Sequence, residues 1–267
     1  MKKIIQLMVA IWVLSTNAVF ADEIKDMQMK CEKGDYSSCF ELGQAYFSGN
    51  GLKEDKITAV KYFKKACDGG YADGCGNLGL MYSLGEGVLQ NHNKALELYG
   101  KACDGEGADG CSNLGLMYSR GDGVRQDKLK AVELYTKACD GGSMSGCSNL
   151  GFMYSKGDGI RQDKRKAIEL FTKACDGEDT GGCNNLGAMY LLGEGVRQDK
   201  RKAIELFTKA CDGEDAGGCY VLGLMYNDGE GVLQNHNKAL ELYGKACDLK
   251  NEDGCENYAR LKTQKRK

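Results

Sequence analysis

The sequence predicts an all-α fold, a solenoid of 36-residue helical hairpins stapled by disulfides. Three observations carry that prediction. The fourteen cysteines stand at 31, 39, 67, 75, 103, 111, 139, 147, 175, 183, 211, 219, 247 and 255, so the gaps alternate strictly between 8 and 28. Self-similarity at such a period marks a repeat array. Within each period apolar residues recur twice at helical spacing. Proline is absent, so every helix stop falls to glycine. Stacked repeats share a core with their neighbours and need no second domain, although 267 residues would allow one.

The first 21 residues read as a secretory signal. Lys2 and Lys3 form a charged start, IIQLMVAIWVL an apolar stretch too short for a stop-transfer helix, and Val19-Phe20-Ala21 a small-residue exit. Cleavage is expected after Ala21, which removes Trp12, the only tryptophan. The mature chain is then periplasmic or secreted and holds no membrane span. It opens with a half-unit, residues 22–33, read as a lone second-type helix.

Six hairpins follow within residues 22–263, beginning near Cys39, Cys75, Cys111, Cys147, Cys183 and Cys219. In the first helix of a hairpin, Cys111, Leu114, Gly115 and Tyr118 share one face, and Gly115 lets the neighbouring helix approach closely. That helix should stop at Gly121 or Gly123, with equivalent glycines at Gly49, Gly85, Gly157, Gly193 and Gly229. The second helix is announced by an N-cap, Asp55, Asn91, Asp127, Asp163, Asp199 or Asn235, whose side-chain oxygen accepts from first-turn N–H groups. Behind the cap, Ala131, Leu134, Tyr135 and Ala138 form an apolar stripe, and Cys139-Asp140-Gly141 ends the helix. A more polar helix over 254–262 closes the array, and 264–267 form a basic tail.

Fourteen cysteines in an exported chain imply disulfides. Zinc is the alternative, but Cys-x7-Cys is not ligand spacing, and the two histidines, His92 and His236, lie four repeats apart. No metal and no cofactor is expected. Two pairings fit the period: across 7 intervening residues, or across 27. The second leaves Cys31 and Cys255 single. The first uses every cysteine and is preferred: Cys31–Cys39, Cys67–Cys75, Cys103–Cys111, Cys139–Cys147, Cys175–Cys183, Cys211–Cys219 and Cys247–Cys255. Residues eight apart in a straight helix lie about 12 Å apart, beyond the ~4.4–6.8 Å Cα span of a disulfide. A turn must therefore separate each pair.

The whole chain carries a net charge of −2. Without Lys2 and Lys3 it holds 34 basic against 38 acidic residues, and five of those bases sit in the last eight residues, so the repeat body is near −9. That balance argues against nucleic acid and anionic membranes as partners.

N-L-G-x-M-Y in the first helix and K-A-x-E-L-x-x-K-A in the second resemble the Sel-one-like repeat, a longer cousin of the tetratricopeptide repeat. With Cys-x7-Cys in every unit and a secretory signal, the chain is similar to the Helicobacter cysteine-rich protein family over residues 22–262. The resemblance implies an exported, disulfide-linked, right-handed superhelix. It also implies two activities described for members: weak β-lactamase or penicillin-binding activity, and recognition by the host as secreted effectors.

The residues themselves offer no nucleophile. Ser-x-x-Lys, Ser-Asp-Asn and Lys-Thr-Gly are all missing. Near-copies spread along a superhelix suit distributed binding better than one catalytic point: GEGVLQNHNKALELYGKACD occurs at both 85–104 and 229–248. The candidate surface is the first-helix face, which by analogy with tetratricopeptide arrays lines a concave groove. There Asn77, Asn113, Asn149 and Asn185 follow a cysteine by two residues in four consecutive units. An amide ladder suits an extended peptide backbone or a carboxylate; the alternative is that each Asn bonds to a neighbouring helix. Leu80, Leu116, Phe152, Ala188 and Leu224 vary in size nearby, as a selective groove or an adjusting core would.

The expected function is therefore a monomeric binding module for a peptide, a protein or a peptidoglycan-like ligand. β-Lactam hydrolysis is the alternative, with β-lactams then among its ligands. Arg120-Gly121-Asp122 reads as an ordinary turn rather than an adhesion tripeptide. His92 and His236 read as solvated first-turn residues.

Overall fold

The computed structural model describes residues 22–50 and 52–264. The predicted signal, residues 1–21, and the last three residues of the basic tail lie outside them. The described residues form fourteen helices in two units, one ending at Gln126 and the other starting at Asp127.

The first unit contains α1 (22–32), α2 (Tyr36–Ser48), α3 (Lys56–Asp68), α4 (Ala72–Leu84), α5 (His92–Asp104) and α6 (Ala108–Arg120). The second contains α7 (Lys128–Asp140), α8 (Met144–Lys156), α9 (Lys164–Asp176), α10 (Thr180–Leu192), α11 (Lys200–Asp212), α12 (Ala216–Asp228), α13 (His236–Asp248) and α14 (Glu252–Gln264). Every helix from α2 onward is 13 residues long, because each is bounded by the same punctuation.

Second-type helices start where the sequence placed them. The carboxylates of Asp55, Asp163 and Asp199 and the amides of Asn91 and Asn235 accept N–H bonds from the first turn. First-type helices start three residues before the cysteine rather than at it. Asp35, Ser143, Asp179 and Asp215 cap α2, α8, α10 and α12, which places each cysteine inside the first turn. The closing helix is correspondingly longer than 254–262. At the other end Gly121 stops α6 with φ 85°, and the N–H of Asp122 returns to the Met117 carbonyl. Arg120-Gly121-Asp122 is that turn.

Each cysteine in the last turn of a second-type helix, or of α1, is bonded to the one in the first turn of the next helix. The seven pairs are those eight residues apart, with Cα atoms 4.4 to 4.8 Å from each other. The residues beside the cysteines make this approach possible. A side chain on Gly182 would begin 2.6 Å from Ala174 Cβ; the pairs Gly74–Ala66 and Gly146–Ala138 are equally close. The second helix crossing is set by the other glycine of the first helix. A Cβ on Gly79 would lie 2.9 Å from the Tyr99 ring, and one on Gly151 would lie 2.8 Å from Phe171.

Each core layer repeats the same set. Ala203, Phe207, Cys211, Cys219, Leu222, Met225, Leu242 and Ala246 are all buried together in one of them. Full burial of a side chain such as Phe207 stabilises by about 1.5–3 kcal/mol.

Ion pairs tie consecutive repeats. Lys56 reaches Glu86 at 3.1 Å in the first unit. Lys128 reaches Asp158 at 2.8 Å and Lys200 reaches Glu230 at 2.8 Å in the second. His92 occupies the corresponding position in α5 and corrects the expectation of a solvated residue. It is half-buried beneath the following loop, where a Cβ on Gly123 would lie 2.6 Å from its own Cβ, and its Nδ1 is buried without a partner. His236 is exposed.

Candidate binding face

First-type helices touch each other directly within each unit, α4 against α6 and α8 against α10, whereas second-type helices make no comparable contact among the described residues. The first-type row therefore lies on the inner side of each stack. Asn77 and Asn113 stand on α4 and α6; Asn149 and Asn185 stand on α8 and α10. The four thus stand two by two on helices that touch.

Their bonding bears on the two readings left open by the sequence. Asn77 donates from Nδ2 to the Asp73 carbonyl at 3.1 Å, one turn back in its own helix. Asn113, Asn149 and Asn185 are half-buried and make no side-chain hydrogen bond among the described residues. None bonds to a neighbouring helix. Helical asparagine is a mediocre choice for stability, and these three amides keep their bonding capacity unused among the described residues. Phe152, beside this row on α8, is 45% exposed.

In the first unit the face opens into a cavity of about 540 Å³. Ile24 and Met27 of α1, Ala45 and Phe47 of α2 and Phe63 of α3 supply apolar walls. Glu23, Glu41, Gln44 and Asn77 supply polar groups. Glu41 and Gln44 were missed by the sequence reading, yet Glu41 stands at the ladder register, two residues after Cys39, and Gln44 at the register of Leu80 and Leu116, five residues after it. Counting from that cysteine would have found them. Asn257 holds the same register in α14, donating to the Asp253 carbonyl at 2.9 Å and accepting from Arg260.

All fourteen cysteines are in disulfides, and among the described residues no three His, Cys, Asp or Glu side chains converge as metal ligands. No helix among them is long and apolar enough to cross a membrane. Seven disulfides place the folded chain in an oxidising, extracytoplasmic compartment.

Comparison with known proteins agrees with this architecture. The chain is 32% identical to c5321, a protective antigen of uropathogenic Escherichia coli displaying an SLR fold, with a TM-score of 0.69 over 89% of its own length. It spans about half, 51%, of that protein. It is 25% identical to a Sel1 repeat protein from Oxalobacter formigenes, with a TM-score of 0.73 over 84% of this chain and 99% of that one. It is 37% identical to Helicobacter pylori cysteine rich protein B over 50% of this chain and 96% of that one, with a TM-score of 0.41. No curated protein matches the sequence. The Sel1 repeat model matches residues 37–71, 72–106, 108–143, 145–179, 181–215 and 216–251, and the chain belongs to the Sel1 repeat family.

Proposed function

We propose that this protein is an exported interaction module that holds extended polypeptide segments on its first-type helix faces. The observation that carries the reading is the set of half-buried amides at Asn113, Asn149 and Asn185 with no protein partner. A side-chain amide both donates and accepts, which matches the N–H and C=O of a peptide backbone. The cavity beside Glu41, Gln44 and Asn77 supports it further, since its apolar walls suit a side chain while its polar rim holds the backbone. Membership of a family built as interaction scaffolds points the same way.

The test begins with peptides selected from a displayed library on the oxidised protein, their affinities then measured by fluorescence anisotropy. Asn113→Ala, Asn149→Ala and Asn185→Ala should each weaken selected peptides by about tenfold, one hydrogen-bonded contact's worth. Thermal stability should stay within about 0.5 kcal/mol, as for other surface changes. Undiminished binding by all three variants would sink the proposal. Turnover of a chromogenic cephalosporin that tracks the protein through purification would replace it with the hydrolase reading.

A further inference from the structure

The second unit carries an arginine edge on the loops and first turns of α9 and α11, away from the asparagine face. Two positions define it: the residue three before the first helical lysine or histidine of each second-type helix, here Arg161 and Arg197, and the second helical residue, Arg165 and Arg201. These positions are exposed in every repeat. Elsewhere in the chain the loop position holds Lys53, Leu89, Arg125 and Leu233, of which Leu89 and Leu233 are 91% and 89% exposed, and the helical position holds Ile57, Asn93, Leu129 and Asn237. Repeats that are nearly identical in their cores therefore differ at two exposed sites.

All four arginines are exposed, and none makes an ion pair among the described residues. The lysines of the same turns are already engaged. Lys164 pairs with Glu194 at 3.3 Å and Lys166 with Glu169 at 3.1 Å. Lys200 pairs with Glu230 at 2.8 Å and Lys202 with Glu205 at 3.0 Å. The charge left over is that of the guanidiniums. The helix ends contribute little, because Asp163 and Asp199 already accept their first-turn N–H groups. A concavity of about 730 Å³ lies against Arg197 and Arg201, with Tyr190 and Val196 as its apolar lining.

We propose that this edge docks an acidic polypeptide segment, its carboxylates held by Arg161, Arg165, Arg197 and Arg201. The planar guanidinium fork matches a carboxylate bidentately. Tyr190 and Val196 would take the aliphatic stems of glutamates or an intervening small apolar residue. An extended strand points alternate side chains to the same side, so glutamates at every second position can face the edge. A polypeptide is favoured over nucleic acid or lipid because the repeat body is near −9. That field repels a dense polyanion, while short-range pairing with separate carboxylates survives it.

The chain supplies its own control residues. A variant with Arg161→Leu, Arg165→Asn, Arg197→Leu and Arg201→Asn reproduces what stands at Leu89 and Asn93, so folding is protected, and a melting curve checks it. The probe is a fluorescein-labelled peptide of alternating glutamate and alanine, compared with its glutamine counterpart and with phosphatidylglycerol vesicles. The full chain should bind the glutamate peptide, release it with salt, and ignore the glutamine peptide. The variant should bind at least about tenfold more weakly. Equal binding by parent and variant, no binding of the glutamate peptide, or a preference for the vesicles would each overturn the proposal, the last by assigning the edge to lipid.

Discussion

Lys173 Nζ donates a 2.9 Å hydrogen bond to the carbonyl oxygen of Cys139, one repeat earlier. Lys209 does the same to Cys175, and Lys245 to Cys211 at 2.6 Å. A cation in the last turn of one helix thereby closes the last turn of the preceding second-type helix, where carbonyls lack intrahelical donors. It does so at the residue that also carries the disulfide. Lys173→Met keeps the stem and deletes the charge, and should cost about 1 kcal/mol in urea denaturation. An unchanged midpoint would show that the bond contributes nothing beyond what water supplies.

Helix backbones also approach closely beside the disulfides. Gly182→Ala places a methyl 2.6 Å from Ala174 Cβ, well inside van der Waals contact, and overpacking of that kind costs about 1–3 kcal/mol. Gly181→Ala, one residue earlier, meets nothing closer than 3.4 Å and should change stability by less than about 0.5 kcal/mol. Equal melting temperatures for the two variants would refute the packing account.

Each disulfide closes a loop of about nine residues, which the chain-entropy model values at about 2.5 kcal/mol. Replacing Cys175 and Cys183 together by serine should lower stability by about that amount. Because repeats contact chiefly their neighbours, hydrogen exchange should rise around α9 and α10 before it rises elsewhere. Uniform acceleration through both units would contradict local coupling.

Tyr243 is buried, and its hydroxyl finds no partner among the described residues. Phe171 and Phe207 fill the same position in the two preceding repeats. Tyr243→Phe should therefore raise stability by up to about 1 kcal/mol at neutral pH, by removing an unsatisfied group.

Burial also pushes the Tyr243 and Tyr99 phenols up to about 12. An unfolded tyrosine ionises near pH 10. Between those values the unfolded chain releases protons that the native chain keeps, so stability present below about pH 10 is lost as pH rises toward 12. Tyr99→Phe and Tyr243→Phe should each flatten that alkaline decline in a pH series of melting curves. A parent-like slope in both variants would exclude the two phenols as its source.

The repeat was legible because each unit states its own boundaries. The caps Asp55 and Asp163 and the stop at Gly121 act through bonds within a few residues, and such bonds can be read from spacing alone. The starts of α8 and α10 were misplaced by three residues because a single cap, Ser143 or Asp179, sets them, and the eye follows the cysteine instead. The glycines before Cys147 and Cys183 looked like part of a turn; their packing against Ala138 and Ala174 emerges only when two helices cross. His92 looked like any exposed first-turn residue until the next repeat's loop lay over it.

By itself the sequence determined the period, the all-α class, the second-helix caps and the cysteine arithmetic, since all of these depend on local chemistry repeated at fixed intervals. Only the tertiary structure decided which polar groups were left without partners. Asn77 turned out to bond its own helix while Asn113, Asn149 and Asn185 stayed open, and the lysines of α9 and α11 found carboxylates while Arg161, Arg165, Arg197 and Arg201 did not. The physical reason is that a residue's spare bonding capacity depends on what the neighbouring repeat brings within 3 or 4 Å of it, and that distance is set by packing between helices, not by position along the chain.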